Sequence, residues 1–109
     1  MTTISATLLR IYVNSGDRWD GQPVYEAVVA SARAVGLAGA SVFPVLFSYG
    51  EHARVHDAAS EYQFVDTPVV IEIVDHPDRI QSFLAELGPM VSGGLLTVEP
   101  VRISGPSRP

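Results

Sequence analysis

Between Pro68 and Val91 the spacing of apolar residues changes period, and that change restricts the fold more than any other feature of the chain. Val69, Ile71 and Ile73 alternate with Val70, Glu72 and Val74, the period of an extended strand. Asp75-His76-Pro77-Asp78 breaks the pattern. Asp75 or His76 suits a helix N-cap, and Pro77 suits the first turn, where a missing N–H costs nothing. Ile80, Phe83, Leu84, Leu87 and Val91 then recur at spacings of three and four, which lines them along one helical face. Gly88-Pro89 ends or kinks that helix. A strand as apolar as 68–74 belongs in the middle of a sheet.

The remaining segments follow the same logic. Residues 6–13 alternate, with Thr7, Leu9, Ile11 and Val13 on one side and Leu8, Arg10 and Tyr12 on the other. Asn14-Ser15-Gly16-Asp17 supplies turn chemistry. A helix is expected next, capped by Asp20 or Gly21, with Pro23 in its first turn, Tyr25, Val28, Ala32 and Val35 on its buried face and Gly36 as its stop. Residues 39–49 are β-branched and aromatic and read as a second strand; Pro44 inside it argues for an edge position or a bulge. Residues 50–60 read as a loop. After Ser92-Gly93-Gly94, residues 95–103 form a last strand, and 104–109 are expected to be a disordered tail behind a single domain spanning 1–103.

Strand, helix, strand, strand, helix, strand is the α+β, ferredoxin-like βαββαβ order. Short right-handed connections put the first and third strands in the centre of a four-stranded antiparallel sheet, with both helices on one face. The other face would then carry Leu8, Arg10, Tyr12, Val70, Glu72 and Val74, more apolar than a wet surface requires. A homo-oligomer that buries this face is expected. Arg10 and Glu72 lie on neighbouring strands and can pair across the sheet or across a subunit boundary.

Composition narrows the function classes. Of 109 residues, 47% are hydrophobic and 17% charged, which excludes an intrinsically disordered chain. The net charge is −5, and all seven bases are Arg. An acidic chain with scattered Arg lacks the basic patch that nucleic-acid binding needs, so no nucleic-acid partner is expected. There is no Cys, hence no thiolate nucleophile or zinc–thiolate site. The longest near-apolar stretch, 67–74, falls far short of the roughly 20 residues of a membrane helix. With no signal-peptide pattern at the N-terminus, a cytoplasmic protein without direct membrane insertion is expected.

The candidate chemistry is sparse. Gly93-Gly94 can present N–H groups to an anion or can simply be a tight turn. Arg54 and His56 can grip a phosphate or carboxylate or can belong to a solvated loop. His52 and His56 have the spacing of a helical metal pair, but no apolar stripe supports a helix there, and no metal or other cofactor is assigned. Trp19 can stack on a ligand or pack on a neighbour, with Asp17 making turn hydrogen bonds. No Ser elbow or pocket-flanking carboxylate pair points to an enzyme.

Several segments together resemble one family. They are Leu9-Arg10-Ile11-Tyr12-Val13, Gly16-Asp17-Arg18-Trp19, Pro23-Val24-Tyr25-Glu26-Ala27, the 36–42 turn, Arg54-Val55-His56, the 68–75 strand and Gly93-Gly94-Leu95-Leu96-Thr97. In order and spacing over about residues 8–103 they resemble the uncharacterised "domain of unknown function 190" family, which has a PII-like fold. The resemblance implies a trimer with sheets facing inward, Arg10, Tyr12, Trp19 and Glu72 at the subunit interface, and a regulatory role. It implies a small anionic ligand in the intersubunit cleft, with Tyr49, Arg54, His56, Gly93, Gly94 and Thr97 as contacts. It also implies a protein partner met through the 48–66 loop; members of the family accompany a fluoride-exporting channel in bacterial genomes, so a membrane transporter or channel is expected. The chain departs from the family at Pro44-Val45, where an Arg-Gly pair is usual. The turn at 92–94 has no Lys or Arg, which argues against PII-type ATP binding. The alternatives are a small metal-binding or enzymatic ferredoxin-like oligomer and a ligand-free assembly module.

Overall fold

The computed structural model describes residues 2–45, 47–49, 55–57 and 67–104. Four strands build the main sheet: β1 (Thr3–Asn14), β4 (Ser41–Pro44), β7 (Pro68–Asp75) and β8 (Leu95–Ser104). They run antiparallel in the order β4-β7-β1-β8, so the first and third long strands are central, as the pattern predicted. Helices α1 (Val24–Ala34) and α2 (Pro77–Leu87) complete the α+β, ferredoxin-like arrangement.

The core forms where the two periodicities meet. Leu9, Ile11 and Val13 of β1 and Val69, Ile71 and Ile73 of β7 are buried against Val24, Val28 and Ala32 of α1 and Ile80, Phe83 and Leu87 of α2. Each large apolar side chain so buried contributes roughly 1.5–3 kcal/mol. Val91, one turn past α2, joins them, which completes the stripe read from the sequence. His76 is the N-cap of α2 and Pro77 opens it. Gly36, with φ +79°, ends the α1 turn in the left-handed region that a Cβ disfavours.

Several local expectations need correction. Asp20-Gly21 does not cap α1; it is the tip of a small hairpin between β2 (Arg18–Trp19) and β3 (Gln22–Pro23). Both tip residues have positive φ, +50° and +83°, the signature of a type I′ turn. Pro23 is the N-cap itself, and Val35 is exposed because the helix ends at Ala34. The stretch 39–49 is two strands rather than one. β4 closes at Pro44; one more bond, from Val45 N–H to the Pro68 carbonyl, follows it, and Pro68 has no N–H to return. β5 (Phe47–Tyr49) pairs instead with β6 (Val55–Asp57), inside the stretch expected to be loop. β4 is an edge strand, as Pro44 implied. Residues 105–109 of the expected tail lie outside the described residues.

Two polar clasps hold the ends of the sheet. Ser15 N–H donates to the Thr67 carbonyl at 2.7 Å, and Thr67 N–H returns to Ser15 Oγ at 3.0 Å. At the opposite end the buried Asp75 carboxylate accepts from the N–H groups of Ala38 (2.9 Å) and His76 (2.7 Å). Burial pushes the Asp75 carboxyl up, but these two donors, with Arg79 at 3.6 Å, outweigh it and hold the group below its ordinary value. Arg79 also donates to the Gly36 carbonyl, tying α2 to the turn after α1.

Candidate functional site

The antiparallel order brings one end of every main-sheet strand together. There β1 ends, β4 ends, β7 begins and β8 begins. Consequently the two chain segments that carry the predicted ligand contacts, the β4-to-β7 connection and the α2-to-β8 turn, are rooted at one end of the sheet. Val45 N–H donates to the Pro68 carbonyl at 3.1 Å, which pins one base of the first segment; the Ser15–Thr67 clasp pins the other. Within that segment Tyr49 pairs with Val55, and His56 with Ser48, in the β5–β6 register. His56 thus lies on a strand. His52 and Arg54 lie outside the described residues.

Gly93 and Gly94 precede β8 and differ in environment. A Cβ on Gly93 would meet nothing within 4 Å, whereas one on Gly94 would stand 2.8 Å from the Tyr12 carbonyl oxygen. The Gly94 N–H is already donated to the Val91 carbonyl at 2.9 Å. Asp17 makes the turn bonds expected of it: its carboxylate accepts from Asn14 N–H at 3.0 Å, and its carbonyl accepts from Val24 N–H at 2.8 Å. Trp19 sits exposed on the β2–β3 hairpin.

Among the described residues no helix covers the second face of the sheet, and the register organises that face in transverse rows. Phe43, Val70, Tyr12 and Leu95 stand opposite one another across all four strands. Phe43 is 48% exposed, Tyr12 37% and Leu95 60%. The adjacent row is polar: Ser41, Glu72, Arg10 and Thr97. The third brings Val74, Leu8 and Glu99 together. Arg10 binds across both polar positions. Its Nε donates to Glu72 Oε2 at 2.9 Å and its Nη1 to Glu99 Oε1 at 2.5 Å. The bond to Glu72, then that to Glu99, pushes the guanidinium further towards its charged form. Arg10 and Glu72 therefore pair across the sheet within one chain. Sequence reading missed Glu99, Phe43 and Leu95. Alternation along 95–99 places Leu95, Thr97 and Glu99 on one face, but only the strand register shows that this face is the one carrying Arg10.

On the helix side a groove of about 710 Å³ lies between α1 and the edge strand, lined by Tyr25, Glu26, Val29, Ala30, Arg33 and Val42 among others. Among the described residues no group of three or more His, Asp or Glu side chains converges to hold a metal. No helix among them is long and apolar enough to cross a membrane.

This architecture is the PII-like form of the ferredoxin-like fold. Solved structures that share it include CPII, a nitrogen regulatory PII-like protein from Thiomonas intermedia K12 bound to ADP, AMP and bicarbonate. The match has a TM-score of 0.73 at 13% identity and covers 94% of this chain and 91% of that one. A candidate PII-like signalling protein from Thermus thermophilus matches with a TM-score of 0.68 at 16% identity, over 94% and 93% of the two chains. The sequence places the chain more narrowly. It belongs to the DUF190 family of uncharacterised ACR proteins, whose model matches residues 6–103. A UPF0166 protein of Aquifex aeolicus is 31% identical over 103 residues, covering 94% of this chain and 97% of the relative. A UPF0166 protein of Methanocaldococcus jannaschii is 28% identical over 100 residues, covering 87% and 88%.

Proposed function

We propose that the chain is a cytoplasmic PII-like regulatory protein that works as a homotrimer rather than an enzyme. Three copies bury their open sheet faces against one another, with Arg10, Tyr12, Trp19 and Glu72 at the contacts. A small anionic ligand binds in the clefts between copies, with Tyr49, Arg54, His56, Gly93, Gly94 and Thr97 as candidate contacts. Of the two glycines, Gly93 is assigned the backbone donor, because the Gly94 N–H is engaged. The 48–66 segment meets a protein partner, a membrane transporter or channel. Ligand occupancy shifts the population of that segment's conformations and so changes what it docks on.

The observation that carries this reading is the apolar row Phe43–Val70–Tyr12–Leu95, in which Phe43, Tyr12 and Leu95 are exposed in a single copy and Val70 is half-buried. A row of this kind spanning a whole sheet favours a partner surface over water. The ligand class is supported by the common root of the two candidate segments and by the adenine nucleotides and bicarbonate on the structurally similar CPII. Light scattering coupled to size exclusion tests the assembly, with a trimer mass expected. Thermal-shift titration with ADP, AMP, bicarbonate and inorganic phosphate tests the ligand; a stabilisation that Arg54→Ala removes is expected. A monomer at micromolar concentration overturns the assembly, and no shift with any of the four probes overturns the ligand site.

A further inference from the structure

We infer that Glu99 is a surplus carboxylate that limits how tightly copies of this chain associate and makes the association tighten with salt. The inference rests on the reading that copies bury the open sheet face. Among the described residues that the register sets on this face, Arg10 is the one cation, against the carboxylates Glu72 and Glu99. One guanidinium serves both. Glu72 shares its row; Glu99 stands a row further on, opposite the buried Leu8, and its side chain is the more exposed, 51% against 35%. Each face therefore carries one uncompensated negative charge in largely apolar surroundings.

Closing several such faces together moves those surplus charges towards one another and away from water. Both steps oppose association. Dissolved ions screen the repulsion, so added salt strengthens the assembly. This sign separates the device from an interface held by ion pairs between copies, which salt weakens.

Sedimentation velocity on a dilution series of the full chain, at about 0.02 M and about 0.5 M NaCl, reads the effect directly. The wild-type half-dissociation concentration is expected to fall several-fold at the higher salt. Glu99→Gln keeps an acceptor for Arg10 but loses the charge; it is expected to associate several-fold more tightly at low salt and to lose most of the salt response. Glu86→Gln, the same charge change on the exposed side of α2, is expected to follow wild type. A wild-type salt response retained by Glu99→Gln overturns the inference and leaves the reading of the face intact. A wild-type chain that stays monomeric at every salt and concentration overturns that reading and the inference with it.

Discussion

The backbone of Gly94 is pressed against the end of β1: a Cβ at that position would lie 2.8 Å from the carbonyl oxygen of Tyr12 and 3.1 Å from Cγ1 of Val13. The turn from α2 into β8 can therefore approach the central strand only where no side chain intervenes. Steric closeness accounts for a glycine at this position, and its N–H is bonded to the Val91 carbonyl.

Gly94→Ala is expected to lower stability by about 1–3 kcal/mol, the usual cost of overpacking. Gly93→Ala meets open space and is expected to stay within about 0.5 kcal/mol of wild type. Urea unfolding of the two variants side by side checks this. Equal losses would remove the steric account.

The Asp75 clasp gives a pH-dependent contribution to stability. Its carboxyl is held below the ordinary value, so its stabilisation is fully present above the unfolded-state pKa and is lost as pH falls through the lower, folded value. Asp75→Ala leaves the Ala38 and His76 donors without their acceptor and is expected to cost about 1–3 kcal/mol at neutral pH. The gap between wild type and variant should narrow as the solution is acidified below the carboxylate range. Chemical denaturation at neutral and strongly acidic pH measures both.

Covered and open faces should respond differently to truncation. Phe83 is 1% exposed at the centre of the core, and Phe83→Ala is expected to cost about 3–5 kcal/mol. Phe43→Ser, on the open face, should leave the unfolding free energy of the single chain nearly unchanged and weaken self-association. Tyr12→Asp should abolish association while preserving the circular dichroism spectrum. Sizing and denaturation of the same samples separate the two effects.

Trp19 is the sole tryptophan and provides a local reporter. The proposed trimer sets this exposed residue of the β2–β3 hairpin at the contact between copies, so its emission maximum should move to the blue as protein concentration rises through the association range. An emission maximum that stays constant across that range takes Trp19 out of the interface.

Most of the architecture was legible because it rests on local periodicity. The alternation at 68–74 and the stripe from Ile80 to Val91 each identify an element and its buried side, and together they supply seven of the thirteen residues of the core cluster. The departures have equally local causes that simple periodicity hides. The Asp20-Gly21 hairpin is only six residues long, too short to display a period, although its type I′ dipeptide was there to read. Pro44 signalled an edge strand or a bulge but not the break after it, and the partner of the following strand, Val55–Asp57, shows no alternation of its own. At the candidate site, Arg10, Glu72 and Tyr12 were visible as the mixed side of two strands. Glu99 was not, because only the register of β8 against β1 shows that its side of the strand is the one carrying Arg10.

Sequence alone determined which residues alternate, which share a helical face and where turns punctuate them, because φ/ψ preference and amphipathic spacing are properties of short segments. It also determined that one side of the two central strands would mix Arg10 and Glu72 with apolar residues. Tertiary structure alone decided what meets what. The register of β1 with its neighbours aligns Phe43, Val70, Tyr12 and Leu95, joins Arg10 to both carboxylates and sets Gly94 against Tyr12. Register is a nonlocal quantity, set when helices and strands distant in the chain bury their apolar faces together, and a slip of one residue would turn every one of these side chains to the opposite face.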